Sequence, residues 1–360
     1  MIIILLALKI LVVLGVFSAI VVAHEFGHFI AAKKQGIKVE SFAVGFGKKL
    51  FSIKKGETEY RINLIPLGGY VKLAGEDPQD RKGKSDEFAS KPVISRFWVI
   101  FSGPLFNYIL AFFILLLLYA VGIPSLTTQV GTVLDNSPAK VAGIRTGDTI
   151  LSINNNTVSD WNQMVREIRS NTDVSPIQIK LERNDRIRKI KVTPRILETK
   201  NIFKQEIKFV GIGIAPSEKY VILKNNPLRA FDMSLRHMYY FTVNTYKGLW
   251  FLITGAMPIK ESVGGPIRII DMLTKAVSHG WYSVLSLMAT ISMAIAIFNL
   301  LPFPILDGGH ILFLIIEKIK GKPISPKTQE MIQQVALVLI IMFFLYVTYN
   351  DVRFLSNIKK

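Results

Sequence analysis

Four apolar blocks punctuate the chain. Met1 to Ala32 carries only Lys9 besides His24, Glu25 and His28, and Phe97 to Ala139 carries only Asp135. Trp281 to Leu306 and Met331 to Asn350 carry no charge at all. A hydrocarbon core about 30 Å thick takes roughly 20 apolar residues as helix, so each block predicts one crossing. The predicted spans are 1–32, 96–122, 281–317 and 330–350. Pro302 and Pro304 predict a break inside the third. The first block is longer than the apolar core of a signal peptide, has no basic start and lacks a small-x-small site before a soluble domain. It reads as a retained helix.

Between the blocks the period changes. In 33–95, "KVESFAVGFGKKLFSI" and "YRINLIPLGGYVKLAG" alternate in strand fashion around Pro66 and Gly68–Gly69, predicting β-hairpins that lie against the membrane. Residues 123–216 predict a small module. It begins with a strand and a short helix at Pro138–Ala142, and a Gly-Asp turn leads into "TILSIN". A helix then places Trp161, Met164, Val165 and Ile168 on one face, and two strands meet at Asn184–Asp185. This order, with the run "SPAKVAGIRTGDTILSIN", resembles a bacterial PDZ domain, which would bind extended peptide ends by strand addition. The alternative is a spacer or size filter. In 217–280, Leu228, Phe231, Leu235, Met238, Thr242 and Leu249 recur at helical spacing, predicting interfacial amphipathic helices. A turn at 318–329 and a tail at 351–360 complete the division. The fold class is a multi-pass α-helical membrane protein with four transmembrane helices, membrane-associated β-hairpins and an inserted α/β PDZ-like domain.

Charge sets an orientation on this pattern. Residues 33–96 hold 14 Lys and Arg against 8 Asp and Glu, and Lys318, Lys320, Lys322 and Lys327 crowd the last turn. The positive-inside rule makes both segments cytoplasmic, and the N-terminus and 123–280 extracytoplasmic. With half of its residues hydrophobic and a net charge of +18, the chain is suited to anionic lipid on its cytoplasmic face. Nucleic acid is not an expected partner, because no basic run alternates with stacking aromatics. The absence of cysteine excludes disulfides, thiol catalysis and thiolate metal sites.

The costliest residues in the first span are those of "HEFGH". In H-E-x-x-H on a helix, His24 and His28 lie one turn apart on one face, a spacing that suits two nitrogens on one zinc ion. Glu25 is rotated about 100° from His24, where it can reach a water rather than the metal. Ionisable residues inside a span mark function, because placing them there is expensive. A structural His–Glu arrangement holding a bundle together is the competing reading.

A catalytic zinc needs a third protein ligand and an open position. Asp307, following the proline break of the third span, lies at a similar distance from the basic end as His24 does. His310, one turn on, is a rival ligand, and Asp307 could instead cap the helix starting near Gly309. His237 and His279 read as interfacial polar residues.

H-E-F-G-H in the first span, "SGPLFN" in the second and "FNLLPFPILDGGH" in the third, in that order, resemble the site-2 protease family of intramembrane metalloproteases. The single PDZ-like module between spans two and three resembles its bacterial regulator-of-sigma-E protease branch. The resemblance implies Zn2+ held by His24, His28 and Asp307, with Glu25 as general base. It matches Asn299 to the family's polar residue near the substrate and Asn107 to its "GP…N" motif. Pro302, Gly68 and Gly69 complete the expected substrate-binding set. The hairpin edge would template an unwound substrate, or else the sheet only braces the first helix. The implied activity is intramembrane zinc endopeptidase action in the bacterial inner membrane. Expected substrates are single-span proteins such as anti-sigma factors or signal-peptide remnants. The alternative is a non-catalytic membrane scaffold with a peptide-binding module and a structural metal.

Overall fold

A computed structural model describes residues 2–200, 205–258 and 262–358. Four of its helices carry stretches long and apolar enough to cross a bilayer, at Leu8–Lys34, Val93–Val121, Trp281–Asn299 and Pro326–Arg353. The chain divides into two compact units, a discontinuous body (1–118 with 232–360) and a module between them (119–231).

The body opens with α1 (Ile2–Lys34), followed by the long strands β1 (Val39–Lys55) and β2 (Thr58–Leu73) and by α2 (Val93–Val121). The first half of β1 pairs on both sides: Phe42 lies opposite Tyr60 and also opposite Val71, and Ala43 opposite Arg61 and Tyr70. The second half of β1 returns along β2, with Phe51 opposite Ile62 and Lys55 opposite Thr58. The two strands therefore bend into a sheet of four segments ordered 69–73, 39–44, 58–63, 49–55. Segment 69–73 forms one outer edge. The bend in β2 leans on α1, where the Ser18 hydroxyl donates to the Pro66 carbonyl. Gly45 permits the fold-back: its φ is +85°, and a Cβ there would come within 2.6 Å of the Ile65 carbonyl oxygen. Phe46, Leu50, Phe51, Ile62, Leu64 and Ile65 stand exposed on this sheet, as expected of strands facing lipid rather than water.

After the module, the body resumes with α5 (Pro227–Ile253), α6 (Pro266–Ser278), α7 (Trp281–Asn299), α8 (Asp307–Lys320) and α9 (Pro326–Ile358). The prolines interrupt the third apolar block at residues 300–306, and the chain turns back into α8. The α8 start is packed so tightly that a Cβ on Gly308 or Gly309 would lie 2.1–2.4 Å from the carbonyls of Leu300, Leu301 or Phe303. Val13, Val16 and Ile20 of α1 form a buried cluster with Leu273 of α6 and with Leu287 and Ile291 of α7. Fully buried Asp351, near the end of α9, accepts from the backbone N–H groups of Gly265 and Arg268 at 3.1 Å and so caps α6. The negative carboxylate there complements the helix dipole.

The module enters on β3 (Ile123–Leu126) and leaves on β12 (Tyr220–Leu223), which pair antiparallel with Ile123 opposite Leu223. Residues 220–223 lie inside the 217–280 stretch expected to be helical. They form a strand instead, because β3 offers a complementary edge that residue spacing alone does not reveal. Next come β4 (Val130–Val133), paired with β11 (Ile214–Pro216), and the short helix α3 (Pro138–Val141). A four-stranded sheet follows in the order β6-β5-β7-β8 (Asn156–Thr157, Thr149–Ile153, Ile177–Arg183, Arg186–Val192). Helix α4 (Trp161–Arg169) is capped by Asp160, which accepts from the Gln163 amide. Strands β9 (Arg195–Lys200) and β10 (Glu206–Gly211) pair beside this sheet's end in sequence. Asn184 and Asp185 both take positive φ, the two-residue hairpin turn their residue types favour. Ile150, Ile153, Met164, Ile177, Ile179 and Leu181 make the module's core.

Candidate metal centre and its cavity

His24 and His28 fall on the face of α1 that meets α2. The approach is close because both helices present small residues: a Cβ on Gly27 would lie 2.2 Å from the Ser102 carbonyl oxygen. Ser102, itself buried, donates to Gly27 O at 2.9 Å. Gly103 leaves the space the imidazoles occupy, since a Cβ there would sit 2.3 Å from His28 Nε2. Small residues that admit a neighbouring backbone are the usual device of helix packing in lipid.

The three expected ligands converge. The Nε2 atoms of His24 and His28 are 3.2 Å apart. Asp307, first residue of α8, places Oδ2 3.1 Å from His24 Nε2 and Oδ1 3.7 Å from His28 Nε2. One ligand atom from each residue lies within 4.8 Å of the others. Protonation explains why this cluster needs a cation. His28 Nδ1 is 2.8 Å from the Val99 carbonyl, which can only accept, so the proton is on Nδ1 and Nε2 offers a lone pair. His24 Nδ1 meets the Asn107 carboxamide at 3.3 Å, while Asn107 Oδ1 is buried without a hydrogen-bond partner. Turning that amide over lets Oδ1 accept from Nδ1–H and frees the second Nε2 lone pair. Asp307 Oδ2 is likewise buried with no hydrogen-bond partner. Two nitrogens about 2.0–2.1 Å from a tetrahedral ion stand roughly 3.3 Å apart. The donor set and its spacings therefore fit zinc.

Glu25 borders the same space. Its Cγ would be 3.6 Å from a Cβ on Gly69, and Val71 lines the same cavity. A cavity of about 350 Å³ extends from this point. His24, Glu25, His28 and Asp307 line one part of it, and Glu76, Arg81, Arg96 and Glu317 line the rest. Arg96 reaches Glu317 with both Nη atoms, joining α2 to α8 across the wall.

The remaining expected residues divide. Asn107 is in the site as the His24 partner, and its backbone carbonyl accepts from Ser292 of α7 at 2.8 Å. Gly69 stands beside Glu25, whereas Gly68 packs on Phe46. Asn299 ends α7, and neither it nor Pro302 is among the cavity-lining residues. His310 lines the cavity outside the three-residue metal cluster. Gly27, Ser102, Gly103, Glu76 and Arg81 were not singled out from sequence. For the first three, the "HEFGH" and "SGP" small-residue pattern was the available signal.

A model of peptidase family M50 matches residues 12–343 of the chain. A zinc metalloprotease RasP of Geobacillus kaustophilus is 30% identical over 416 residues, spanning 94% of this chain and 96% of that protein. A protein of Bacillus subtilis named regulator of sigma-W protease RasP is also 30% identical, over 418 residues, with the same coverage. A PDZ domain from a Listeria monocytogenes protein aligns with 26% of this chain and 90% of its own, at 19% identity and a TM-score of 0.21.

Proposed function

We propose, from the premise that this chain belongs to peptidase family M50, that its metal is held by His24, His28 and Asp307 and that Glu25 is its general base. The protein is a multi-pass membrane zinc metalloprotease. The observation carrying the site assignment is the convergence of two imidazole Nε2 atoms and one carboxylate, with Glu25 alongside.

Zinc in such a site acidifies a water toward a pKa of about 7 and polarises a carbonyl. The protein's own groups do the rest. The Val99 carbonyl and Asn107 hold the two imidazoles in the tautomers that aim Nε2 inward. Glu25 takes the proton from water as its oxygen bonds to the substrate's carbonyl carbon, then delivers that proton to the departing amine nitrogen. A helical substrate hides its carbonyls, so it must be extended before it is cut. The 69–73 edge, running past Glu25 with no strand on its outer side among the described residues, is suited to bind it by strand addition. Asn299 could add a donor near the substrate, as the family resemblance implies.

In this reading the protein lies in a bacterial inner membrane; the basic segments support a cytoplasmic side for the cavity end of the body, with the N-terminus and the module outside. The substrates in this reading are single-span membrane proteins. The name of the Bacillus relative supports anti-sigma factors among them, because cutting an inhibitor's membrane anchor is how a membrane protease would reach a sigma factor. Signal-peptide remnants share the same single apolar span. The module admits trimmed substrates by binding their ends or by size. Cleavage of a reconstituted single-span peptide, with zinc measured in parallel, tests the assignment. Full zinc content in Asp307→Ala would overturn Asp307 as ligand and point to His310.

A further inference from the structure

The sheet edge that faces the metal site carries two acids. Segment 69–73 pairs with β1 on one side, and on that same side the Ala74 N–H donates to the Lys38 carbonyl at 3.0 Å. By the alternation of a strand, the amides of Val71 and Leu73 point the other way, to the side on which Glu25 and Glu76 stand. Two residues of strand separate them, roughly 6.6 Å along the edge.

Glu76 is open to the cavity that holds His24, Glu25, His28 and Asp307. Lys72 already spans Glu40 and Asp80 at 3.4 and 3.0 Å. Arg81 donates to the carbonyls of Gly75 and Glu76, so it braces the turn rather than the carboxylate. Arg96 belongs to Glu317.

We propose that Glu76 selects substrates carrying Lys or Arg two residues from the scissile bond, on its cytoplasmic side. The inference rests on the protease reading and topology given above. The edge runs from Gly69, at the depth of Glu25, to Leu73, which packs with Ala32, Ile37 and Val39 where α1 ends in Lys33 and Lys34. An extended substrate cut opposite Val71 thus meets Leu73 two residues nearer the cytoplasm. Its own carbonyl there takes the Leu73 N–H, and its side chain at that position stands beside Glu76. Single-span proteins concentrate Lys and Arg at their cytoplasmic ends, so the partner is a cation the substrate already carries.

The test uses the full chain with zinc in proteoliposomes and three substrates differing only at that position: Lys, Gln or Glu. Wild type should cut them in the order Lys, Gln, Glu, with kcat/KM for Lys about ten-fold above Gln, as a charge-assisted contact supplies. Glu76→Gln should bring the Lys-to-Gln ratio near one, Glu76→Lys should invert the order, and Glu76→Asp should keep it. A wild-type ratio near one overturns the proposal even if no variant folds, and so does a ratio that survives Glu76→Gln. Failure of wild type to cut any of the three refutes the protease reading itself, whereas cutting all three equally refutes only the role of Glu76.

Discussion

The module and the membrane body both bury aliphatic side chains, but the body also encloses small and polar residues between its helices. Inside the module are Ile150, Ile153, Ile177, Ile179, Leu181 and Met164, fully enclosed, with buried Asp148 held by Arg183 at 2.6 Å. Inside the body are Gly27, Gly103, Ser102, Asn107, Ser292, Ala289 and Ala296, whereas Val335, Leu339, Phe343 and Leu345 of α9 face outward. Water drives the first arrangement, because apolar area removed from it stabilises the fold. Lipid supplies no such drive between helices, so the body gains from close backbone approach and from hydrogen bonds. The lesson is where chemistry can be housed. Small residues between the body's helices leave room for two imidazoles and a carboxylate to face one another, whereas the module's buried Asp148 is matched by a single arginine.

The sharpest way to probe that contrast is to change a polar interior atom and nothing else. Glu25→Gln keeps size and hydrogen bonding but cannot accept the proton, so activity should fall by about 10²–10⁴-fold or more while zinc content holds. Undiminished cleavage would remove Glu25 from the mechanism. Next in size is enlarging a small residue. Gly103→Val would put a side chain where His28 Nε2 sits, so zinc occupancy by elemental analysis should fall by about ten-fold or more, with activity following.

The module should respond to the reverse change. Leu181→Ala removes a fully buried side chain, and denaturant melts should show a loss of about 2–5 kcal/mol in the module transition. Cleavage of an already trimmed, short substrate should stay within about two-fold, since each proposed catalytic residue lies in the body. Loss of that cleavage would mean the two regions share the site after all. The smallest effect concerns pH. Glu76 holds its proton more tightly in the folded chain than in the unfolded one, its carboxyl being raised from 4.5 to about 7. Its contribution is therefore most favourable below about pH 4.5 and is lost as pH rises through 7. Glu76→Gln should gain thermal stability relative to wild type at pH 8 compared with pH 5, by a degree or two at most. Equal shifts at both pH values would contradict the raised carboxyl.

Much of this arrangement was legible from residue order. Four charge-poor blocks gave four apolar helices, since twenty uncharged residues have few other uses. β7 and β8 with their Asn184–Asp185 turn are local, and period-two alternation with a turn signal is enough to place them; β12, which pairs back to β3, was hidden. His24 and His28 share a helix, so their convergence follows from helical geometry; meeting Asp307 depended on how α8 folds back. What stayed hidden is tertiary. Alternation marks 39–55 and 58–73 as strands, but not that β1 takes partners on both sides, nor which edge is left facing Glu25. Glu76 and Arg81 read as two charges in a charged loop, and only the fold turns them toward the cavity. Asn299 and Pro302 stand near Asp307 in sequence, yet neither is among the residues that line the cavity.

The discontinuity of the body has a consequence in time. A ribosome delivers α1 and α2, then the whole of 119–231, and only afterwards the helices that complete the body. At about 5–20 residues per second, His24 and His28 wait on the order of 15–60 s for Asp307 to be made. Throughout that interval the module, whose first and last strands pair with each other, can finish folding. With Asp307 as the proposed third ligand, the newborn chain is thus unarmed while its first three apolar segments are threaded into the membrane, and its ligand set is complete only once α8 arrives.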